Sequence, residues 1–114
     1  MIAYLDASVV LRLVLGEANQ LAEWKQVKSA VASALTEVEC LRTLDQLSRQ
    51  GSLSADEVAE RRTAVYRLLE AVEVVEVGRP VWRRASEPFS TPLGTLGAIY
   101  LSTAISWRDA RNRT

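Results

Sequence analysis

Apolar and polar positions follow two rhythms along the chain. Residues 2–5, IAYL, form an unbroken apolar run, the pattern of a strand buried on both faces of a parallel sheet. Asp6 ends it. Ser8 then reads as the N-cap of a short helix, VVLRLVL, which Gly16 stops. A second helix is expected over Ala18 to Lys28, with a stripe of Leu21, Trp24 and Val27 or Lys28. Residues 30–34, AVASA, are small and apolar. They precede a helix start at Thr36, whose Thr-x-x-Glu spacing to Glu39 is that of a capping box. That helix runs to about Gln50. Ser54 and Glu57 repeat the box before a helix reaching about Glu70, so Gly51-Ser52-Leu53 joins an αα-hairpin. VEVVEV at 72–77 predicts a further strand, and Val81–Glu87 a short helix. Thr91 before Pro92 then reads as an N-cap with proline at the first helical position, opening a last helix to about Trp107. The remainder, RDARNRT, is a polar tail expected to fray.

Strands alternating with helices predict a three-layer α/β/α fold around a short parallel sheet. Length allows one domain, expected over residues 1–107, with 108–114 as the tail. An ordinary balance of 48% hydrophobic and 25% charged residues excludes disorder and fibrous repeats. Fourteen basic residues against fourteen acidic ones leave no net field, so a nucleic-acid partner would need a local patch or metal ions. Asp6 and Arg12 interrupt the apolar N-terminus, which fits neither a signal peptide nor a membrane span and leads to a cytoplasmic expectation. The lone Cys40 cannot form an intramolecular disulfide, and the absence of histidine removes His-based triads and ordinary zinc sites.

Three positions could carry chemistry. Asp6 stands where the first strand gives way to a helix, the carboxyl edge at which open α/β sheets bind ligands; equally, Asp is a good helix cap. Glu37 falls near the middle of the stripe Val38, Leu41, Leu44 and Leu47, so a carboxylate is expected to face the core, where it needs a partner or a metal. The alternative is a solvated first-turn acid favoured by the helix dipole, and Glu39 is expected to be purely structural. Gly97 sits on the apolar face of the last helix at a cost of roughly 1 kcal/mol against Ala. Either a neighbouring helix packs closely there, as Gly94 three residues earlier suggests, or a side chain is missing from a site.

The segments YLDASVVLRLVLGE, SALTEVECLRTL and LGTLGAIYLSTA, in this order and spacing, resemble the PIN domains of VapC-type toxins from type II toxin-antitoxin systems. The resemblance implies a PIN-like fold and a Mg²⁺- or Mn²⁺-dependent endoribonuclease that cuts structured RNA and is silenced by a cognate VapB-type antitoxin. It also implies a homodimer and no membrane association. Asp6 and Glu37 match the first two metal-binding acids, with Ser8 and Thr36 in support. The third acid is expected where Leu96-Gly97-Ala98-Ile99 stands, so Gly97 marks a degenerate position. Family members usually continue into further strands, one of them beside the first. Their absence here predicts a C-terminally truncated domain with an uncovered sheet edge.

Carboxylate-held metal activates water and offsets phosphate charge without imidazole, in agreement with zero histidines. Two acids can hold one hydrated Mg²⁺, so weak or lost activity is expected. Asp109, Glu17 and Asp45 are poorly placed to substitute. Arg12, Arg42, Arg108, Arg111 and Arg113 are available for phosphate, although exposed arginine is ordinarily a solvated surface residue. Trp24, Trp82 and Trp107 are more often core or interface side chains than base-stacking platforms. Two other readings remain: an inactive remnant serving as an antitoxin-binding or dimerising module, and a phosphotransfer domain with Asp6 as acceptor, against which no Gly-rich phosphate loop follows the first strand.

Overall fold

The computed structural model describes residues 2–16 and 29–112. The helix expected over 18–28 lies outside the described residues, as do Glu17, Trp24 and Arg113. The chain divides into two compact units, Met1–Val74 and Val75–Thr114.

In the first unit, β1 (Ile2–Leu5) leads directly into α1 (Ala7–Val14), and β2 (Ser29–Ser33) leads directly into α2 (Ala34–Arg49). The hairpin partner α3 (Ala55–Glu70) follows, then β3 (Glu73–Val75). The three strands form one sheet in the order β1-β2-β3, which puts β1 at an edge among the described residues. β1 and β2 run parallel, with Ile2 opposite Ser29 and Leu5 opposite Ala32, so both strands end level. Each hands over to a helix at the same edge. This mixed α/β architecture is the expected class.

Burial of apolar side chains holds the unit together. Leu5, Ala7, Val10, Val14, Ala32, Cys40, Leu44, Val65 and Leu69 make one cluster that joins the strands to all three helices. Gly16 adopts φ +81° and Gly51 φ +79°, left-handed conformations that end α1 and α2 at little steric cost to glycine. Ser54 and Glu57 form the expected capping box in both directions. Those hydrogen bonds hold the Glu57 carboxyl below its usual range.

The start of α2 differs from expectation. Thr36 does not cap α2: Ser33, the last residue of β2, accepts a hydrogen bond from the Leu35 amide at 3.2 Å, and the helix begins at Ala34. Thr36 and Glu39 therefore fall inside the helix, which leaves no capping box there.

The second unit holds α4 (Arg79–Ala85), entered from Gly78 with Pro80 in its first turn, and α5 (Thr95–Asn112), against which α4 packs. Pro92 is not at the start of α5. The first helical bond runs from the Ala98 amide to the Gly94 carbonyl, so Thr91 and Pro92 lie outside the helix. At its other end α5 continues through residues 108–112, part of the segment expected to be a frayed tail.

Candidate acidic site

Asp6 caps α1. Its extended backbone lets Oδ1 accept from the Val9 amide at 3.0 Å and from the Ser8 hydroxyl at 2.7 Å. Ser8, expected to be the cap, instead sits in the first turn and donates to it. Both bonds fall on one oxygen, and Oδ2 takes none among the described residues. Capping and ligation are thus compatible, because each can use its own carboxylate oxygen.

Helix α2 is fastened on both sides of Asp6. The Thr36 hydroxyl, fully buried, donates to the Leu5 carbonyl at 3.5 Å, and the Cys40 thiol lies 3.7 Å from the Ala7 carbonyl. Glu39 lies three positions after Thr36 and so on the same side of the helix. It is half-buried, and its Oε1 is shut off from solvent with no hydrogen-bond partner. Burial first, then the charges of Glu39 and Asp6, push the Cys40 thiol up to about 12. The two carboxylates therefore act on the same buried thiol from its surroundings.

Glu37 does not face the core. It is exposed in the first turn of α2, where its charge suits the helix dipole. The reason lies in which face is buried: Thr36, Cys40 and Leu44 define it, whereas Val38, assigned to the apolar stripe, is 51% exposed. Sequence reasoning thus passed over Glu39. The signal available was the four-residue spacing of Thr36, Cys40 and Leu44, small or weakly polar side chains that a search for large apolar residues misses.

Gly97 is exposed, and a Cβ there would meet only Leu93, at 3.8 Å; around Gly94 nothing lies within 4 Å. Close helix packing does not account for either glycine. Asp45 pairs with Arg49 at 3.0 Å and Asp109 with Arg108 at 3.4 Å, so neither is an unpaired acid. Among the described residues no group of three or more His, Cys, Asp or Glu side chains is placed to hold a metal ion.

Residues 3–109 match the PIN domain family. The chain is a PIN domain. Its fold is similar to that of a toxin-antitoxin complex from Klebsiella pneumoniae, with 14% identity, 95% of this chain and 81% of the other covered, and a TM-score of 0.68. It is also similar to Mycobacterium tuberculosis VapC20, a toxin that cleaves the sarcin-ricin loop, with 16% identity, 95% and 84% covered, and a TM-score of 0.65. Among curated proteins no match is found.

As donors, the acids of this PIN domain suit a hard divalent cation. Mg²⁺ takes oxygen ligands and retains several waters, so one or two carboxylates can hold it. Asp6 Oδ2 is uncommitted, and Glu39 Oε1 is a buried oxygen without a partner. That pair fits one hydrated ion rather than a closed cage.

Proposed function

We propose that this PIN domain is a VapC-type toxin by descent, a Mg²⁺- or Mn²⁺-dependent endoribonuclease of the cytoplasm. Its site centres on Asp6, with Glu39 as the inner second acid and Glu37 as the outer alternative. The observation that carries the reading is the unpartnered Glu39 oxygen on the helix that Thr36 and Cys40 fasten to either side of Asp6. When bound, the cation supplies an acidified water and offsets charge on the phosphate. Ser8 and Val9 fix Asp6 Oδ1 and thereby aim Oδ2. Thr36 ties the end of β1 to α2, which holds the two acids in one arrangement. The N-termini of α1 and α2 open at one strand edge and favour a phosphate there.

Gly97 occupies the place of the third acid in the family resemblance, and the loss of that carboxylate weakens metal affinity and hydrolysis. Likeness to a toxin-antitoxin complex supports an antitoxin as partner; its VapB type, RNA as substrate and a homodimer as the assembly are what the family resemblance implies. A second reading, an inactive remnant that binds antitoxin or dimerises, draws on the lack of a three-acid group among the described residues.

Calorimetric titration of the full chain with Mn²⁺, beside Asp6→Ala, Glu39→Gln and Glu37→Gln and together with RNA cleavage, tests the proposal. Asp6→Ala and Glu39→Gln are expected to lose most heat of binding, and Glu37→Gln little. Wild-type titration by Asp6→Ala would sink the metal site. Cleavage by neither wild type nor any variant, with an antitoxin still bound, would favour the second reading.

A further inference from the structure

A chain with no net charge conceals a division. Residues 75–114 carry six arginines, no lysine and three acids, a net +3, while residues 1–74 carry eight basic and eleven acidic side chains, a net −3. Arginine alone supplies the positive unit, and its planar fork pairs with phosphate in two-point fashion.

Three of these guanidinium groups are engaged. Arg84 lies 4.3 Å above the Phe89 ring and 3.6 Å from Glu87, Arg108 pairs with Asp109, and Arg111 lies 4.8 Å above the Trp107 ring. Arg79 and Arg83 differ: both are exposed, and neither forms an ion pair among the described residues. Four positions apart, they share one face of α4. Trp82, three positions from Arg79, belongs to the same face and is 47% exposed, while Val81 turns inward at 3%. A helix that buries its valine and presents its tryptophan beside an exposed arginine has its largest apolar side chain outside its own core. Trp82 also walls a groove of about 580 Å³ formed with Phe89, Pro92, Leu93 and Ile99. A ring beside an open cleft can take a flat partner on its face.

We propose that the Arg79–Trp82–Arg83 face of α4 binds single-stranded RNA, the two arginines on successive phosphates and Trp82 stacked on an unpaired base. The class follows from the chemistry: fixed positive charge draws a polyanion, and an exposed aromatic platform selects bases free to leave the stack. Acidic protein segments would satisfy the arginines and leave the indole unused. The inference rests on the RNA-directed reading of the Asp6 site and adds where the strand is gripped.

Fluorescence anisotropy of the full chain with fluorescein-labelled dodecauridylate in EDTA, across a salt series, isolates binding from cleavage. Arg79→Gln/Arg83→Gln is expected to weaken binding about tenfold at 0.1 M salt and to flatten the log–log salt slope by about 1.4, two phosphates' worth for a single strand. Trp82→Ala is expected to weaken it on the order of tenfold with the slope unchanged, Trp82→Phe much less, and an RNA duplex should bind more weakly than the single strand. Failure of the wild type to bind, or wild-type affinity and slope in the double-arginine variant, would overturn the proposal. So would patch variants that alter oligomeric state or antitoxin binding while holding RNA normally. Patch-dependent binding without cleavage would retain the grip and refute the hydrolytic reading; cleavage with patch-independent binding would do the reverse.

Discussion

Replacing Asp6 separates its two roles, because the oxygen that caps is distinct from the oxygen available to a cation. Asp6→Ala deletes the acceptor for the Val9 amide and the Ser8 hydroxyl. Loss of an N-cap costs about 1 kcal/mol, within a range of roughly 0.5–2. For a domain near this size that corresponds to a fall in melting temperature of about 4–6 °C. Asp6→Asn keeps a good cap and loses only the charge at the helix N-terminus, a few tenths to about 1 kcal/mol. Differential scanning calorimetry without metal should therefore rank wild type first, Asp6→Asn close behind and Asp6→Ala last. Titration with Mn²⁺ should give another order, with both variants losing the cation alike. Equal melting of Asn and Ala variants would refute the capping account. Mn²⁺ binding retained by Asp6→Asn would refute the carboxylate as ligand, whatever its effect on stability.

Other outcomes follow from burial and local space. Leu44→Ala, at a position with no exposure, should cost roughly 2–5 kcal/mol in chemical denaturation, whereas Val38→Ala should cost well under 1 kcal/mol. Cys40 should resist a thiol reagent at pH 8 until the protein unfolds, since its thiol is pushed from an ordinary 9.0 up to about 12. Because the folded form holds that proton more tightly, the associated stability is present below pH 9 and is lost as pH rises toward 12. Alkaline melting of Cys40→Ala should show less of that decline. Gly97→Asp meets only Leu93 and puts an acid in the first turn of α5, where its charge suits the helix dipole, so its melting temperature should equal or slightly exceed that of wild type. By family resemblance it should also raise RNA cleavage, and a wild-type rate would argue that Gly97 is not the lesion.

Where local chemistry had one solution, the fold was legible. IAYL is the strand its apolar run predicts, with Leu5 buried and Ala3 and Tyr4 half-buried, and Ser54-x-x-Glu57 produced the expected box. At Thr36 the box did not form: Ser33 could cap as well, and a strand running straight into α2 gave the role to the earlier residue. The buried face of α2 also differs from the expected one. Val38 became exposed, Thr36 and Cys40 became core, and the half-buried acid proved to be Glu39 rather than Glu37. Hydrophobicity could not report this, because a hydroxyl and a thiol filled places where a leucine was expected. Asp6 was legible in position and ambiguous in role, and both roles proved compatible.

The hairpin of α2 and α3 brings neighbours in sequence together, whereas β1 must wait for a partner 27 positions later, as Ile2 meets Ser29. Loops that close over short distances form first, so assembly should begin in the hairpin and end with β1 docking. Asp6 thus leaves the ribosome early, yet the bonds that fasten α2 to its neighbours Leu5 and Ala7 exist only when Thr36 and Cys40 have arrived. Assembly of the acidic site becomes the last event of folding. Mutations in the hairpin should slow refolding, and mutations around Leu5 should chiefly hasten unfolding, a contrast that stopped-flow kinetics can read.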